Sequence, residues 1–375
     1  MHDQLPKSRH EESVDWSTVA IVGVGLIGGS LALGLKRAGL TDRVVGVSSE
    51  KTIREARELG VIDDGCGYDE IADAVSEARV VFLCTPIHRI IELLPVVMRS
   101  VPSGSIVSDV GSTKAEIVRA ATNAARPDAI FIGGHPMAGS EQSGVGAADP
   151  FLFQNAMYVL TPTADTPSPL VASFGDGLAR LGARVISLAP GVHDRVAAGV
   201  SHLPQLIALS LVEFVGKRNE EEPAHLRMAA GGFRDMTRIA SSPFRMWRDI
   251  LQTNSEEIRH AIGDFRKYLD AIEGDLDDAS SHFENANEIR GTIPRDAKGF
   301  ISPLSDVLVR VEDRPGILAR MTTAIADAGI SIMDIELLKI REGEGGTFRL
   351  AFHDSETAAR AVEILCRTGF SARVR

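Results

Sequence analysis

The chain has 375 residues, 44% of them hydrophobic and 24% charged, the proportions of a globular protein too long for one ordinary core. Its 51 acidic and 40 basic side chains give a net charge of −11, which argues against nucleic acid or an anionic membrane as the main partner and leaves small metabolites. Cys66, Cys84 and Cys366 are isolated, odd in number and without metal-ligand spacing, so no metal site is expected and a reducing cytoplasm is.

Residues 1–16 mix charges of both signs, lack the apolar stretch of a signal peptide and read as a polar tail. The run Val19 to Leu35 is apolar enough to raise a membrane span, but its glycines let a strand, a turn and a helix share it. "TVAIVG" is a β-branched strand that delivers Gly23, Gly25 and Gly28 in G-x-G-x-x-G spacing to the start of a helical pattern. That order predicts a dinucleotide site in which Gly23, Gly25, Leu26, Ile27 and Gly28 surround a pyrophosphate at a helix N-terminus.

Strand and helix patterns then alternate through "RVVGVS", "RVVFLCT" and "SIVSDVG" to "ARVISLA". Residues 17–189 therefore read as a Rossmann-like α/β domain, a parallel sheet with helices on both faces and ligands above the carboxyl ends of the strands. Ser48, Thr85, Asp109, Ser112 and His135 stand at those ends, and Ser48, Thr85 and Asp109 are expected to meet the cofactor. An acid normally grips the ribose after the second strand; here the chain reads "GVSSEK". Ser48 and Ser49 with Lys51 and Arg54 suit a 2′-phosphate, Glu50 suits a 2′-hydroxyl, and a solvated helix face is the favoured reading of Lys51 and Arg54. NAD and NADP both stay open.

His135 lies in "GGHPMAGSE" between glycines and a proline, where a bent backbone with thin side-chain cover would turn an imidazole toward a cleft. Residues 190–280 lose strand signals and show apolar positions at three- and four-residue spacing, an all-α domain that closes the site and pairs subunits. Residues 281–303 rise in Gly, Pro and charge and read as a linker. Residues 304–375 read β-α-β-β-α-β, a small α+β ferredoxin-like domain.

"GVGLIGGSLAL", "SDVGSTK", "GGHPMAGSEQSG", "SHLP" and "FRDMTRIASSPFRMWRDI" stand in the order and spacing of the prephenate and arogenate dehydrogenases of tyrosine biosynthesis. The chain resembles that family over about residues 17 to 280, and "EDRPGILARMTTAIADAGISI" resembles an ACT domain. The resemblance implies NAD(P)-dependent oxidative decarboxylation of prephenate or arogenate, a homodimer, and tyrosine as feedback effector. It implies His135 as catalytic base and Ser112 as the partner of the same substrate hydroxyl, with helix capping a second role for Ser112. Arg238, expected to be oriented and partly buried, matches the residue that meets a substrate carboxylate.

His202 and the adjoining Ser201 match substrate contacts; a core histidine explains His202 nearly as well. Glu141 matches a gate that pairs with Arg238. Gln205 stands where many relatives carry a second histidine, and Trp247 is expected to pack the core. Gly316 follows Pro315 where backbone would approach a ligand, and helix N-terminal amides at Gly316 and Ile317 can meet an effector's carboxylate; a domain kept only for assembly is the other reading. A β-hydroxyacid dehydrogenase would place a catalytic lysine in the helical region, where Lys217 reads as solvated; a non-catalytic sensor would lack His135, Ser112 and Arg238 together.

Overall fold

The computed structural model describes residues 13–139, 142–292, 304–312, 314–341 and 345–374. The chain divides into two compact units, Met1–Ala279 and Ser280–Arg375.

The first unit is built on eight strands, β1 (Thr18–Val22), β2 (Arg43–Val47), β3 (Asp64–Cys66), β4 (Val80–Leu83), β5 (Ile106–Asp109), β6 (Ile130–Pro136), β7 (Met157–Pro162) and β8 (Arg184–Ser187). Their order in the sheet is β3-β2-β1-β4-β5-β6-β7-β8. The helices threaded between them are α1 (Leu26–Arg37), α2 (Glu50–Glu58), α3 (Ile71–Val75), α4 (Ile87–Ser100), α5 (Ala115–Asn123) and α6 (Ser168–Ala179). The apolar run from Val19 is thus a buried strand, a turn and a helix. The central strands β1 and β4 read as near-continuous apolar segments because both faces are covered, while the edge strands β3 and β8 are partly exposed. One face packs around Trp16, Phe82 and Phe174, the other around Leu83, Ile90 and Leu94.

β1 to β6 run parallel in the order of a dinucleotide-binding fold. The sheet is not parallel throughout: β7 pairs antiparallel with β6, and β8 follows β7. Among its described residues the β6–β7 connection holds a 3₁₀ turn, Val145–Ala147, and no crossover helix, so the chain returns in the opposite sense. The polar tail also ends earlier than expected. Trp16 is buried and stacks on Phe174 with ring centroids 5.3 Å apart, and the Val14 N–H donates to Ser173 Oγ across 3.0 Å.

The "GGHP" stretch is no bend. Gly133 to Pro136 are the last four residues of β6, and neighbouring strands explain the glycines. A Cβ on Gly133 would lie 2.2 Å from Thr161 Oγ1, and one on Gly134 would lie 2.6 Å from the Asp109 carbonyl oxygen.

Over this sheet unit lie α7 (Pro190–Ala197), α8 (Leu203–Glu221), α9 (Ala224–Arg227), α10 (Gly231–Thr237), α11 (Phe244–Thr253) and α12 (Ser255–Gly274). α7 and α8 are joined by a π-helical turn, Ala198–His202. Pro204 has no N–H to donate and its ring crowds the carbonyl one turn back; a widened turn accommodates both. The run Pro190–Glu221 is long and apolar enough to cross a membrane by length and composition, yet its buried His193, Asp194, His202 and Gln205 find polar partners inside the unit. Phe214, Phe244, Met246, Tyr268 and Leu269 stay exposed on these helices, an apolar surface of the kind that subunits cover.

The second unit holds α13 (Ser280–Thr292), β9 (Ser305–Val311), α14 (Ile317–Ala326), β10 (Asp334–Arg341), β11 (Gly345–Phe352), α15 (Ser355–Arg367) and β12 (Ser371–Val374). Its sheet order β10-β11-β9-β12, antiparallel throughout, is that of a ferredoxin-like fold. The expected linker is helical as far as Thr292. α13 buries none of its residues, so it lacks the apolar periodicity that marks a helix in sequence. The rest of that linker, 293–303, lies outside the described residues.

Candidate active site

β1 hands the chain to α1 through Gly23, which adopts φ +100° and whose N–H donates to the Val47 carbonyl across 2.8 Å. A Cβ on Gly23 would lie 2.7 Å from the Cys84 carbonyl, and one on Gly28 would lie 2.2 Å from the Gly23 oxygen. Both glycines are required by the protein's own packing. Gly25 differs: a Cβ there would meet nothing within 4 Å, so it borders open space at the N-terminus of α1. That terminus has no side-chain cap, which leaves the first-turn amides of Leu26 and Ile27 facing the same space with the positive end of the helix dipole. Thr85, at the end of β4 beside Gly23, keeps a buried Oγ1 without a hydrogen-bond partner. An uncapped helix, an open cradle and an unpaired hydroxyl fit the diphosphate and adjoining atoms of a dinucleotide.

Ser48 is buried at the end of β2 close to the Tyr68 hydroxyl, whose pKa burial raises while Ser48 opposes the shift. The Arg89 guanidinium lies 5.5 Å from the centre of the Tyr68 ring. Ser49 caps α2 by accepting from the Thr52 N–H, and Lys51 and Arg54 are exposed on that helix. Asp109 departs from the expected cofactor role. Its carboxylate is fully buried and accepts from the Gly111 N–H at 2.8 Å, the Gly134 N–H at 3.1 Å and Lys114 Nζ. Lys114, equally buried, also donates to the Gly134 carbonyl across 2.7 Å. The pair locks the loop after β5 to the strand that carries the candidate base.

His135, 8% exposed, stands near the end of β6 with Nδ1 2.8 Å from His193 Nε2. His193 Nδ1 is 2.8 Å from Asp194 Oδ1. Burial, and then the neighbouring His193, Lys114 and His202, push the His135 pKa well below its ordinary 6.5, so the imidazole is neutral at neutral pH. Asp194 does a second job. Its Oδ1 accepts from the Lys114 N–H at 2.7 Å and its Oδ2 from the Ala115 N–H at 2.8 Å, capping α5. Ser112 is therefore not the cap; it sits half-buried in the loop between β5 and α5.

His202 closes the π turn, buried, with Nδ1 3.2 Å from Asn254 Nδ2. The amide also donates to the Asp194 carbonyl across 2.8 Å. Burial lowers the His202 pKa to about 4, with Asp194 opposing the shift, so His202 is neutral too. Since the amide donates to Nδ1, the ring proton sits on Nε2. Trp247 is half-buried, packs its apolar body on the core, and meets His202 edge-on with ring centroids 6.0 Å apart. Ser201 lies half-buried in the same turn.

Arg238 opens a 3₁₀ turn, Arg238–Ser241, after α10 and is exposed rather than partly buried. Met236, Phe244 and Met246, near it in the chain, are exposed as well. Gln205 is buried, and its Nε2 donates to the Ile239 carbonyl in that turn across 3.0 Å. Glu141 lies outside the described residues. In the second unit Gly316 adopts φ +83° ahead of α14, a backbone requirement that itself accounts for glycine. The Ile317 N–H donates to the Arg314 carbonyl, and its side chain packs on the core of that unit.

Sequence reading did not assign His193, Asp194, Lys114 or Asn254. Each also has a partner twenty or more residues away, and the adjacent "HD" at 193–194 in "PGVHDRVA" is the local sign. Lys217 is exposed on α8, so it is no buried catalytic lysine.

A Rossmann sheet with a glycine cradle, and a neutral buried imidazole beneath a helical layer, define a dinucleotide-dependent dehydrogenase. The descriptions "Prephenate dehydrogenase, nucleotide-binding domain", "Prephenate dehydrogenase, dimerization domain" and "ACT domain" match residues 31–187, 189–285 and 305–369. The chain belongs to the prephenate dehydrogenase family. It is 36% identical to the prephenate dehydrogenase of Bacillus subtilis over 93% of this chain and 95% of that one. Two solved structures are similar. One is prephenate dehydrogenase from A. aeolicus in complex with hydroxyphenyl propionate and NAD⁺, 32% identical over 73% of this chain and 96% of that chain, TM-score 0.67. The other is Synechocystis arogenate dehydrogenase, 30% identical over 73% and 99%, TM-score 0.66.

Proposed function

We propose that the protein is a prephenate dehydrogenase, which converts prephenate to 4-hydroxyphenylpyruvate and carbon dioxide in tyrosine biosynthesis. The observation that carries this reading is His135: a neutral imidazole, held by a second ring, at the carboxyl end of a strand in a dinucleotide-binding sheet. A bound nicotinamide dinucleotide supplies the hydride acceptor; Gly25, Leu26, Ile27 and Thr85 would hold it. His135 takes the proton of the ring hydroxyl at Nε2 as the carbon bearing it gives up its hydride. Loss of carbon dioxide makes the ring aromatic, and the proton can return to the phenolic oxygen.

Ser112 hydrogen-bonds the same hydroxyl in this reading, and His202 donates from Nε2 to the substrate, with Ser201 beside it. Arg238 grips a carboxylate with its planar fork, in a site completed when a second subunit covers the exposed apolar side chains of the helical layer. The working form is then a homodimer. Ser48 with Tyr68 and Arg89 marks where a ribose 2′ substituent lies, and both NAD and NADP fit the reading. Tyrosine acting near Gly316 and Ile317 is the proposed effector, since the second unit matches the ACT domain.

The test is reduced-nicotinamide formation by the purified protein with prephenate or arogenate and NAD⁺ or NADP⁺ in turn, with and without tyrosine. Turnover of prephenate with release of carbon dioxide is expected. Turnover of arogenate alone would move the reading to arogenate dehydrogenase, and silence in every combination would remove it.

A further inference from the structure

His193 and Asp194 have no role in the reaction as described so far, yet both are buried directly behind the base. His193 lies on α7 with Nε2 2.8 Å from His135 Nδ1 and Nδ1 2.8 Å from Asp194 Oδ1. Asp194 is fixed in turn. Its two oxygens accept from the Lys114 and Ala115 N–H groups, at the end of α5 where the helix dipole favours negative charge.

These contacts admit one arrangement of protons for neutral rings. A carboxylate can only accept, so His193 carries its proton on Nδ1. A neutral His193 then offers a lone pair at Nε2, and the proton in the contact between the two rings belongs to His135 Nδ1. His135 Nε2 is left bare. The alternative tautomer of His135 would set two lone pairs against each other in a buried site.

We infer that His193 and Asp194 are positioning residues, which hold His135 protonated on Nδ1 and unprotonated on Nε2 and stabilise the imidazolium formed when Nε2 takes the substrate's hydroxyl proton. The electrostatic surroundings make that help necessary. The charged and titratable groups around His135 are Lys114 from the start of α5, His193 from α7 and His202 from the π turn. Of the nearby carboxylates, Asp109 is already paired with Lys114. Asp194, reached through His193, is the counter-charge left for a transient imidazolium. The logic is that of a serine-protease triad extended by one ring.

The kinetic arm of the test rests on the dehydrogenase reading; the spectroscopic arm does not. In the full-length protein with ¹⁵N-labelled histidine, at neutral pH, both His135 and His193 should show a protonated Nδ1 and a bare Nε2, each assigned from the signals lost in His135→Asn and His193→Gln. A His135 ring protonated on Nε2 overturns the inference, whatever the enzyme turns over.

In kinetics, His193→Phe keeps a ring but removes the acceptor. It should lower kcat on the order of a hundredfold with KM for prephenate within about threefold. His193→Gln, whose side-chain oxygen can accept from His135 Nδ1, should recover about tenfold of that loss. Unchanged kcat in His193→Phe, or a Gln variant no better than Phe, overturns the role. If His193→Phe does not fold, the wild-type spectrum decides alone.

Discussion

Gln205 on α8 donates its side-chain amide to the carbonyl oxygen of Ile239 across 3.0 Å, tying that helix to the 3₁₀ turn that begins at Arg238. The tether is buried at the Gln205 end, while the arginine it positions is exposed. Gln205→Leu removes it without altering the guanidinium. KM for prephenate should then rise by roughly tenfold, the worth of about one hydrogen bond, with kcat little changed. An unchanged KM would show that the turn holds Arg238 without Gln205.

His135→Asn keeps a polar side chain in β6 but no titratable base. Turnover should fall by about two to four orders of magnitude while dinucleotide affinity stays the same, since the cradle lies on α1 and β4. Because burial lowers the His135 pKa well below 6.5, the base stays unprotonated as the pH falls past that value. The acid limb of kcat/KM should therefore lie below about pH 6.5. A limb at or above neutrality would assign the rate to another group.

The glycine motif combines two different requirements, which substitution separates. Gly28→Ala drives a Cβ into the Gly23 carbonyl, 2.2 Å away, and should destabilise the unit by several kcal/mol in a urea melt. Gly25→Ala meets no protein atom within 4 Å and its φ of −102° suits alanine. It should leave the melt alone and weaken dinucleotide binding by at least about tenfold. Equal affinity for parent and Gly25→Ala would move the pyrophosphate elsewhere.

What could be read from the sequence was what the chain writes locally. β1, the glycine turn and α1 follow from a β-branched run, three glycines and an apolar helix pattern, and the ferredoxin-like unit follows from its six alternating segments. The reversal at β7 was hidden because an antiparallel strand buried on both faces has the same composition as a parallel one. Asp109 illustrates the limit within the site. Its position at a strand end is right for a ligand contact, but the neighbours that occupy its oxygens, Gly134 and Lys114, come from the next strand and from the residue before α5. Capping shows the same limit. α5 takes its cap from Asp194 and α4 has the His88 N–H bonded to Asp249 Oδ2 at 3.2 Å, both from the helical layer, where no adjacent-residue rule looks.

Lys114 and Asp109 are both fully buried. Lys114→Met leaves the carboxylate with two backbone donors and no counter-charge, and should cost about 3–5 kcal/mol of unfolding free energy. Loss of its bond to the Gly134 carbonyl also frees the backbone next to His135, so kcat should fall as well. Adding Asp109→Asn should restore part of the stability. A single Lys114→Met variant within about 1 kcal/mol of the parent would show that the pair is dispensable.

His202 links the site to stability through pH. Its folded pKa is lowered to about 4 by burial, against an ordinary value of 6.5. Between those values the unfolded chain binds a proton that the folded protein refuses, so unfolding free energy rises with pH across that window and falls as the solution is acidified through it. The loss from this group begins near pH 6.5 and is complete below about pH 4, on the order of 3 kcal/mol. His135, shifted in the same direction, adds to the slope. His202→Gln can keep a hydrogen bond with Asn254 and has nothing to titrate, so its unfolding free energy should vary less steeply over that window. Urea melts at half-unit steps of pH would read the difference, and identical slopes for parent and variant would mean that His202 is already protonated in the folded protein.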